Sequence, residues 1–341
     1  MQLRHPLRSR VAGRLAAAFT SLVLGAAVSP AHAQSSYPTR PITLIAPFSV
    51  GGDADAAARN FASAAGQVLG QSIVVMNRTG ASGVLGSAVA SEAQPDGYTL
   101  LLARTGSQAI MPAVQPGVTK YKWDDFTFIG MLETNPYGCV VNASSPYKTF
   151  GDLTKAMQTS GGDMNFGTAG VMTTNDLGPR LLFKLLKLTP QQTPTQVPFK
   201  GTGEASSSLL AGVTQFACGS LGSFLSLTKA GKLRILVTTN PARMPALPDV
   251  PTARELGLAD LEGVVGWSAV FGPPKMANDV RDRIAAAIRT ISTDPAWVAA
   301  TATTGSLPLV KTPEETKQYV KGQYQLYRSL GESLNIVDSK M

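Results

Sequence analysis

Short apolar runs rich in leucine and β-branched residues recur at 42–46, 73–77, 99–103, 138–142, 196–199, 214–218 and 233–238. Between them apolar residues return at i, i+3 and i+4, as in Phe61, Ala64, Ala65, Val68 and Leu69, or Ile284, Ala287, Ile288 and Ile291. The first pattern predicts strands and the second amphipathic helices, so their alternation points to βα units on mostly parallel sheets. These stripes are read as core contacts. A last helix is signalled by Thr312-Pro313-Glu314-Glu315, with Thr312 as cap, Pro313 in the first turn and Glu315 closing a capping box. Tyr319, Gln323, Leu326, Tyr327, Leu330 and Leu334 follow at helical spacing. Loops are short and no internal repeat appears, so two packed α/β lobes suit the length better than one.

Composition narrows the class. Of 341 residues, 44% are hydrophobic and 15% charged, which excludes a disordered chain. The formal net charge of +8 is unevenly placed. Arg4, Arg8, Arg10 and Arg14 precede or begin a mostly apolar run at 15–28, which ends in Ala31-His32-Ala33. This is the pattern of a secretory signal peptide cleaved after Ala33, and the run is short for a membrane anchor. Without residues 1–33 the net charge falls to +4, and both histidines, His5 and His32, are gone. A chain without histidine has no Ser-His-Asp triad, no Cys-His pair and no zinc site that uses histidine. The basic residues form no cluster interleaved with aromatics, so nucleic acid is not an expected partner. Cys139 and Cys218 would enter an oxidising compartment, where either one disulfide or two buried thiols is compatible with the sequence.

The candidate chemistry lies in small polar loops at strand ends. The first strand runs into Pro47-Phe48-Ser49-Val50-Gly51-Gly52-Asp53, a glycine turn that opens a helix. Its spacing fits neither a Walker loop nor GxGxxG. Backbone N–H groups at such a turn, together with the helix dipole, favour an anion. Similar loops follow at Asn77 to Gly83, Thr105 to Gln108, Gly167 to Thr174 and Lys200 to Gly203. In open α/β sheets ligands gather at the carboxyl ends of strands, so these loops describe one cleft. They offer hydroxyls and N–H donors but no nucleophile paired with a base, and they call for no metal or cofactor.

The motifs Tyr37-Pro38-Thr39-Arg40-Pro41-Ile42, Pro47 to Arg59, Asn77-Arg78 through Gly86, and Pro95-Asp96-Gly97-Tyr98-Thr99-Leu100-Leu101 occur in order. They are followed by Val197-Pro198-Phe199-Lys200-Gly201, Ala230-Gly231-Lys232-Leu233-Arg234, Pro245 to Thr252, and Trp267. In this order the chain resembles the solute-binding proteins of tripartite tricarboxylate transporters, the Bug or TctC family, over nearly all of its length after residue 33. The resemblance implies a two-lobed periplasmic binding protein of type II-like fold, each lobe a βα sandwich around a mostly parallel sheet. The lobes would comprise 34–138 plus 263–341, and 139–262, hinged where the chain crosses near Pro136 to Val141 and returns near Glu262 to Ser268.

Carried over position by position, the ligand-binding residues expected from the first lobe are Phe48, Ser49, Val50, Gly51, Gly52, Ala81, Ser82, Gly106, Ser107 and Gln108. From the second they are Thr168, Ala169, Gly170, Val171, Met172, Thr173, Lys200, Gly201 and Gly219. Val50, Asp53, Asp176 and Gly219 depart from the family pattern. Glycine at 219 removes an acid that could receive a ligand ammonium, whereas Asp53 adds one. Asp53 is read as capping the following helix with its side chain turned from the ligand, and Arg104 as a solvated surface residue. Lys200 would lend the cleft a positive field or stand at a loop edge, and Trp267 would pack at the hinge. Phe48, Val50, Val171 and Met172 suggest an apolar slot for a ring.

The function expected is capture of a small organic or aromatic di- or tricarboxylate, terephthalate-like among others, and its delivery to integral-membrane transporter subunits by a periplasmic monomer. No catalytic residue is expected. The alternatives are a ligand sensor that docks on a sensor kinase ectodomain, and an enzyme working without histidine.

Overall fold

The computed structural model describes residues 37–338, and the expected signal peptide lies outside them. The first half of the chain forms β1 (Ile42–Ala46), α1 (Asp53–Leu69), β2 (Ile73–Asn77), α2 (Val84–Ser91) and β3 (Thr99–Arg104). A π-turn at Gly106–Ile110 then runs into the short α3 (Met111–Val114) and β4 (Thr127–Asn135). After Pro136 come β5 (Tyr137–Asn142), α4 (Phe150–Ser160), β6 (Asn165–Thr168), α5 (Thr174–Leu185), β7 (Thr195–Pro198), α6 (Thr202–Leu210), β8 (Phe216–Ser220), α7 (Gly222–Lys229) and β9 (Leu233–Thr238). The chain ends in β10 (Gly266–Gly272), α8 (Asn278–Ile291), α9 (Pro295–Thr303), β11 (Leu307–Lys311) and α10 (Pro313–Ser333).

Two sheets result. The first has the order β11-β4-β10-β3-β1-β2 and the second β7-β6-β8-β5-β9. Both are mixed α/β layers in which most strands run one way, as expected: β1, β2, β3 and β4 in the first sheet and β6, β7, β8 and β9 in the second. β1 runs parallel to β2 and β3, and β6 parallel to β7 and β8. β10, however, lies antiparallel between β3 and β4, β11 is antiparallel to β4, and β5 lies antiparallel between β8 and β9. The cause is the double passage of the chain. β10 enters the first sheet directly after the second has been built, and β5 enters the second directly after the first, so each runs against its neighbours.

The apolar runs are buried on both faces because helices cover both sides of each sheet. Successive residues of β3 show this: Leu100 and Leu102 pack with Phe61 of α1 and Ile288 of α8, while Leu101 and Ala103 pack with Val114 of α3 and Tyr327 of α10. The predicted stripes on α1 and α8 are core, with Phe61, Ala65, Leu69, Ile284, Ala287, Ile288 and Ile291 all buried. Each fully buried large side chain of this kind contributes about 1.5–3 kcal/mol. The α10 start is as read: Thr312 and Glu315 form a reciprocal capping box with Pro313 in the first turn. Trp267 lies in the first-sheet core, edge-on to Tyr319.

The crossing between sheets is short on one side. Pro136 alone separates β4 from β5, and its carbonyl accepts from Leu221 N–H at 2.7 Å. The return segment is tied beside it: Thr239 N–H donates to Tyr137 O at 2.8 Å and the Thr239 hydroxyl to Val264 O at 3.2 Å.

Cys139 and Cys218 are directly opposed on β5 and β8 and form a disulfide, which decides the question the sequence left open. The bond closes a separation of 79 residues. By the chain-entropy argument its reduction is expected to cost about 4.5 kcal/mol, seen as a lower urea midpoint with reductant that is absent in a Cys139→Ser/Cys218→Ser variant.

Candidate functional site

Three strands end in loops that open helices, and the loops share one device. The third residue of α1, α5 and α6 is an acid: Asp55, Asp176 and Glu204. Each carboxylate accepts a backbone N–H from the loop four residues earlier, Gly51 to Asp55 at 3.1 Å, Met172 to Asp176 at 2.8 Å and Lys200 to Glu204 at 3.1 Å. The acids fold each loop back on its own helix. The N–H groups of the first helical turns have no intrahelical acceptor, and here they open toward the space between the sheets. Gly51 at φ 81° and Gly170 at φ 122° adopt backbone that other residues rarely reach. Ala81, Ser82 and Met172 hold left-handed φ without being glycine, a conformation costing roughly 1–2 kcal/mol per residue.

The loops enclose a cavity of about 30 Å³. Phe48, Ser49, Gly52, Asp53, Arg104, Thr105, Gly106 and Gly266 line it from the first-sheet side, and Ala169, Thr173, Thr174, Asn175, Gly201, Thr202 and Ser220 from the second. The two sides touch. The Ser82 hydroxyl donates to Val171 O, and a Cβ on Gly201 would lie 2.1 Å from Ser49 Oγ. Three buried polar atoms in this lining have no hydrogen-bond partner among the described residues: Ser49 Oγ, Asn175 Nδ2 and Ser220 Oγ. Buried polar groups are almost always paired, so three orphans around one space mark a place built to be completed by a polar guest. Among the described residues no group of three or more His, Cys, Asp or Glu is placed to hold a metal ion.

One wall is charged. Arg104 and Asp53 form an ion pair with side chains only 8% and 14% exposed. A second guanidinium nitrogen of Arg104 donates to Ser268 Oγ, whose hydroxyl donates to Glu133 Oε1 at 2.9 Å. Asn135 Nδ2 bonds the same Glu133 oxygen at 3.0 Å and Ser306 Oγ at 2.7 Å. Burial pushes the Glu133 carboxyl above its ordinary value, with the Arg104 charge and the bonds from Asn135 and Ser268 opposing.

Residues 57–336 match the family described as Tripartite tricarboxylate transporter family receptor. The chain belongs to this family. It is 33% identical over 325 residues to the UPF0065 protein in the TAR-I ttuE-ttuC' intergenic region of Agrobacterium vitis, covering 94% of this chain and 92% of that one. Among solved structures it resembles the periplasmic binding protein BugD, with TM-score 0.81, 26% identity and coverage of 88% and 99%. It also resembles MatC from Rhodopseudomonas palustris with bound malate, with TM-score 0.80, 28% identity and coverage of 86% and 100%. The family is one of periplasmic binding proteins, and the described residues contain no helix long and apolar enough to cross a membrane.

Of the residues expected at the ligand, Phe48, Ser49, Gly52, Gly106, Ala169, Thr173 and Gly201 line the cavity. Ala81, Ser82, Gly170, Val171 and Lys200 line an outer groove of about 550 Å³ that shares Phe48 and Ala169 with it. The others stand elsewhere. Val50 is 67% exposed on the turn, and Gly51 shapes that turn. Ser107 and Gln108 point into the first-sheet core, where Gln108 Nε2 donates to Ser87 Oγ at 2.8 Å. Thr168 Oγ1 is buried against Gln196, and Met172 packs with Leu177 in the core. The apolar slot of Phe48, Val50, Val171 and Met172 is therefore not assembled. Gly219 acts from behind: a Cβ there would lie 2.3 Å from Asn175 Nδ2, so its absence makes room for that amide.

Asp53 and Arg104 overturn their expected roles. Gly52, not Asp53, is the helix cap, and Asp53 as first helical residue faces the cavity and Arg104. Arg104 is buried, not solvated, because Asp53 and Ser268 satisfy it. Its place could have been read from an arginine ending the otherwise apolar run 99–103 at a ligand-binding strand end. Asn175 and Ser220 lie outside the expected loops, although each stands at a strand end or helix start, while Thr174 and Thr202 fall inside those loops but not among the expected ligand contacts.

Glu133 holds its proton more tightly folded than unfolded. The stability this gives is present below about pH 4.5, its ordinary value, and is lost as pH rises toward the raised folded value. Glu133→Gln keeps the acceptor oxygen without titrating. Its thermal midpoint relative to wild type is expected to rise as the pH is raised above 4.5 in scanning calorimetry; parallel curves would contradict this.

Proposed function

We propose that the protein captures a small carboxylate in the cavity between its two lobes and delivers it to the membrane subunits of a tripartite transporter. The lobes of this proposal are those expected from the sequence, 34–138 with 263–341, and 139–262, and the compartment is the periplasm after cleavage at Ala33. The supporting observation is the convergence of the α1, α5 and α6 N-termini on a space whose buried donors lack partners. Helix N-termini and oriented N–H groups favour an anion without needing a full positive charge. MatC, at 28% identity, holds malate, which makes aliphatic acids the first ligands to test. With Val50 and Met172 outside the cavity, an aromatic acid has lost two of the four residues that favoured it.

Closure is the working step. A ligand that touches Ser49 and Asp53 on one side and Asn175 and Ser220 on the other stabilises only the arrangement in which those walls meet. Gly201 allows this approach, since its φ of 180° suits any residue but its Cβ position is occupied by Ser49 Oγ.

In titration calorimetry, C4 to C6 aliphatic di- or tricarboxylates are expected to bind and to raise the thermal midpoint, with terephthalate weaker. A panel in which only aromatic acids bind would reverse the substrate class, and a wholly inert panel would remove the carboxylate reading. Gly201→Val should weaken the best ligand at least tenfold while leaving the ligand-free urea midpoint within error, because it obstructs closure and not the fold of either lobe.

A further inference from the structure

The two walls of the cavity differ in the groups they offer. On the second-sheet side stand the N-termini of α5 and α6, the Asn175 amide nitrogen and the Ser220 hydroxyl, an array able to donate to an anion. On the first-sheet side stands the Asp53 carboxylate, whose Oδ1 takes one N–H from Ala54 at 3.0 Å and whose Oδ2 takes Arg104. A carboxylate offers about four acceptor positions, so Asp53 keeps spare acceptor capacity facing the cavity.

Arg104 does not change this balance. Its guanidinium lies between Asp53 on one side and, through the Ser268 hydroxyl, Glu133 on the other. A ligand carboxylate placed on Arg104 would stand beside the Asp53 carboxylate that already pairs with it, and like charges so placed repel. The complementary guest carries its carboxylate toward Asn175 and Ser220 and a hydrogen-bond donor toward Asp53.

We infer that Asp53 is a specificity-determining residue that accepts a hydrogen bond from a hydroxyl or ammonium group on the ligand, so that the solute is a carboxylate bearing such a donor and not a plain dicarboxylate. This rests on the carboxylate site proposed above. The hydroxyl and ammonium forms share the same chemistry at Asp53, and the probes separate them.

The experiment compares donor-bearing acids with their unsubstituted counterparts at two chain lengths, by titration calorimetry on wild type and Asp53→Asn. The probes are malate, aspartate and succinate, then 2-hydroxyglutarate, glutamate and glutarate. Wild type is expected to bind a hydroxy or amino acid at least tenfold more tightly than its unsubstituted partner at one length or both. Asp53→Asn should shrink that ratio to about twofold, with the unsubstituted acid bound as well as before or better, since a repelling charge has gone. Urea unfolding checks that the variant is folded, and Asp53→Ser replaces it if it is not.

Equal binding of paired acids by wild type, or binding of unsubstituted acids alone, overturns the inference while leaving the carboxylate site standing. An Asp53→Asn variant that weakens both members of a pair by the same factor also overturns it, assigning Asp53 to holding Arg104. If neither these acids nor the wider panel bind, the carboxylate site itself is lost and this inference with it.

Discussion

The site depends on a single-residue crossing. β4 ends at Asn135 and β5 starts at Tyr137, so Pro136 sets two sheets end to end with no slack. The register continues the constraint on both sides: Asn135 faces Gly266, Tyr137 faces Ser220, and Gly138 faces Thr238. Every strand that meets this boundary therefore brings a defined end to it. β1 and β3 of the first sheet, and β6, β7 and β8 of the second, all direct their carboxyl ends there, where loops and helix starts lie. The antiparallel strands β5 and β10, which make the sheets mixed, are the means by which the chain crosses without a long linker at Pro136.

Given that boundary, the electrostatics follow from helix geometry. Three helix N-termini facing a small space would repel one another's partial charges unless compensated. Asp55, Asp176 and Glu204 compensate locally, each bound to its own loop, and so keep the loops in shape. The ion pair of Asp53 and Arg104, with the buried Glu133 carboxyl behind it, lies on the first-sheet side. The second side carries neutral donors, so the cavity is polar throughout but oriented.

The elements were legible because their signals are local. Alternation of apolar runs with 3.6-residue stripes placed the helices and most strands, and Thr312-Pro313-Glu314-Glu315 located the start of α10. The reversal of the minority strands was not legible, because an apolar run such as 138–142 reads alike in either orientation, and only the crossing at Pro136 decides it. At the candidate site, the glycine loops lead to the region of the cavity, but not to which side chains line it. Ser107 and Gln108 adjoin Gly106 in sequence yet turn into the core through the π-turn. Arg104 was misread because a lone arginine is normally solvated, and its burial depends on Asp53, 51 residues away, and Ser268, 164 residues away. The acid three residues after each helix cap, by contrast, is a local signal at Asp55, Asp176 and Glu204.

The disulfide between β5 and β8 lies two residues from both Tyr137, the first residue after the crossing, and Ser220, an orphan donor of the cavity. It joins the strand that enters the second sheet to the strand that supplies part of the binding wall. In the closure proposed above, a rotation about Pro136 would carry Ser220 with it as one body. The covalent bond would then make the second wall a lever whose pivot and working tip cannot slip relative to each other.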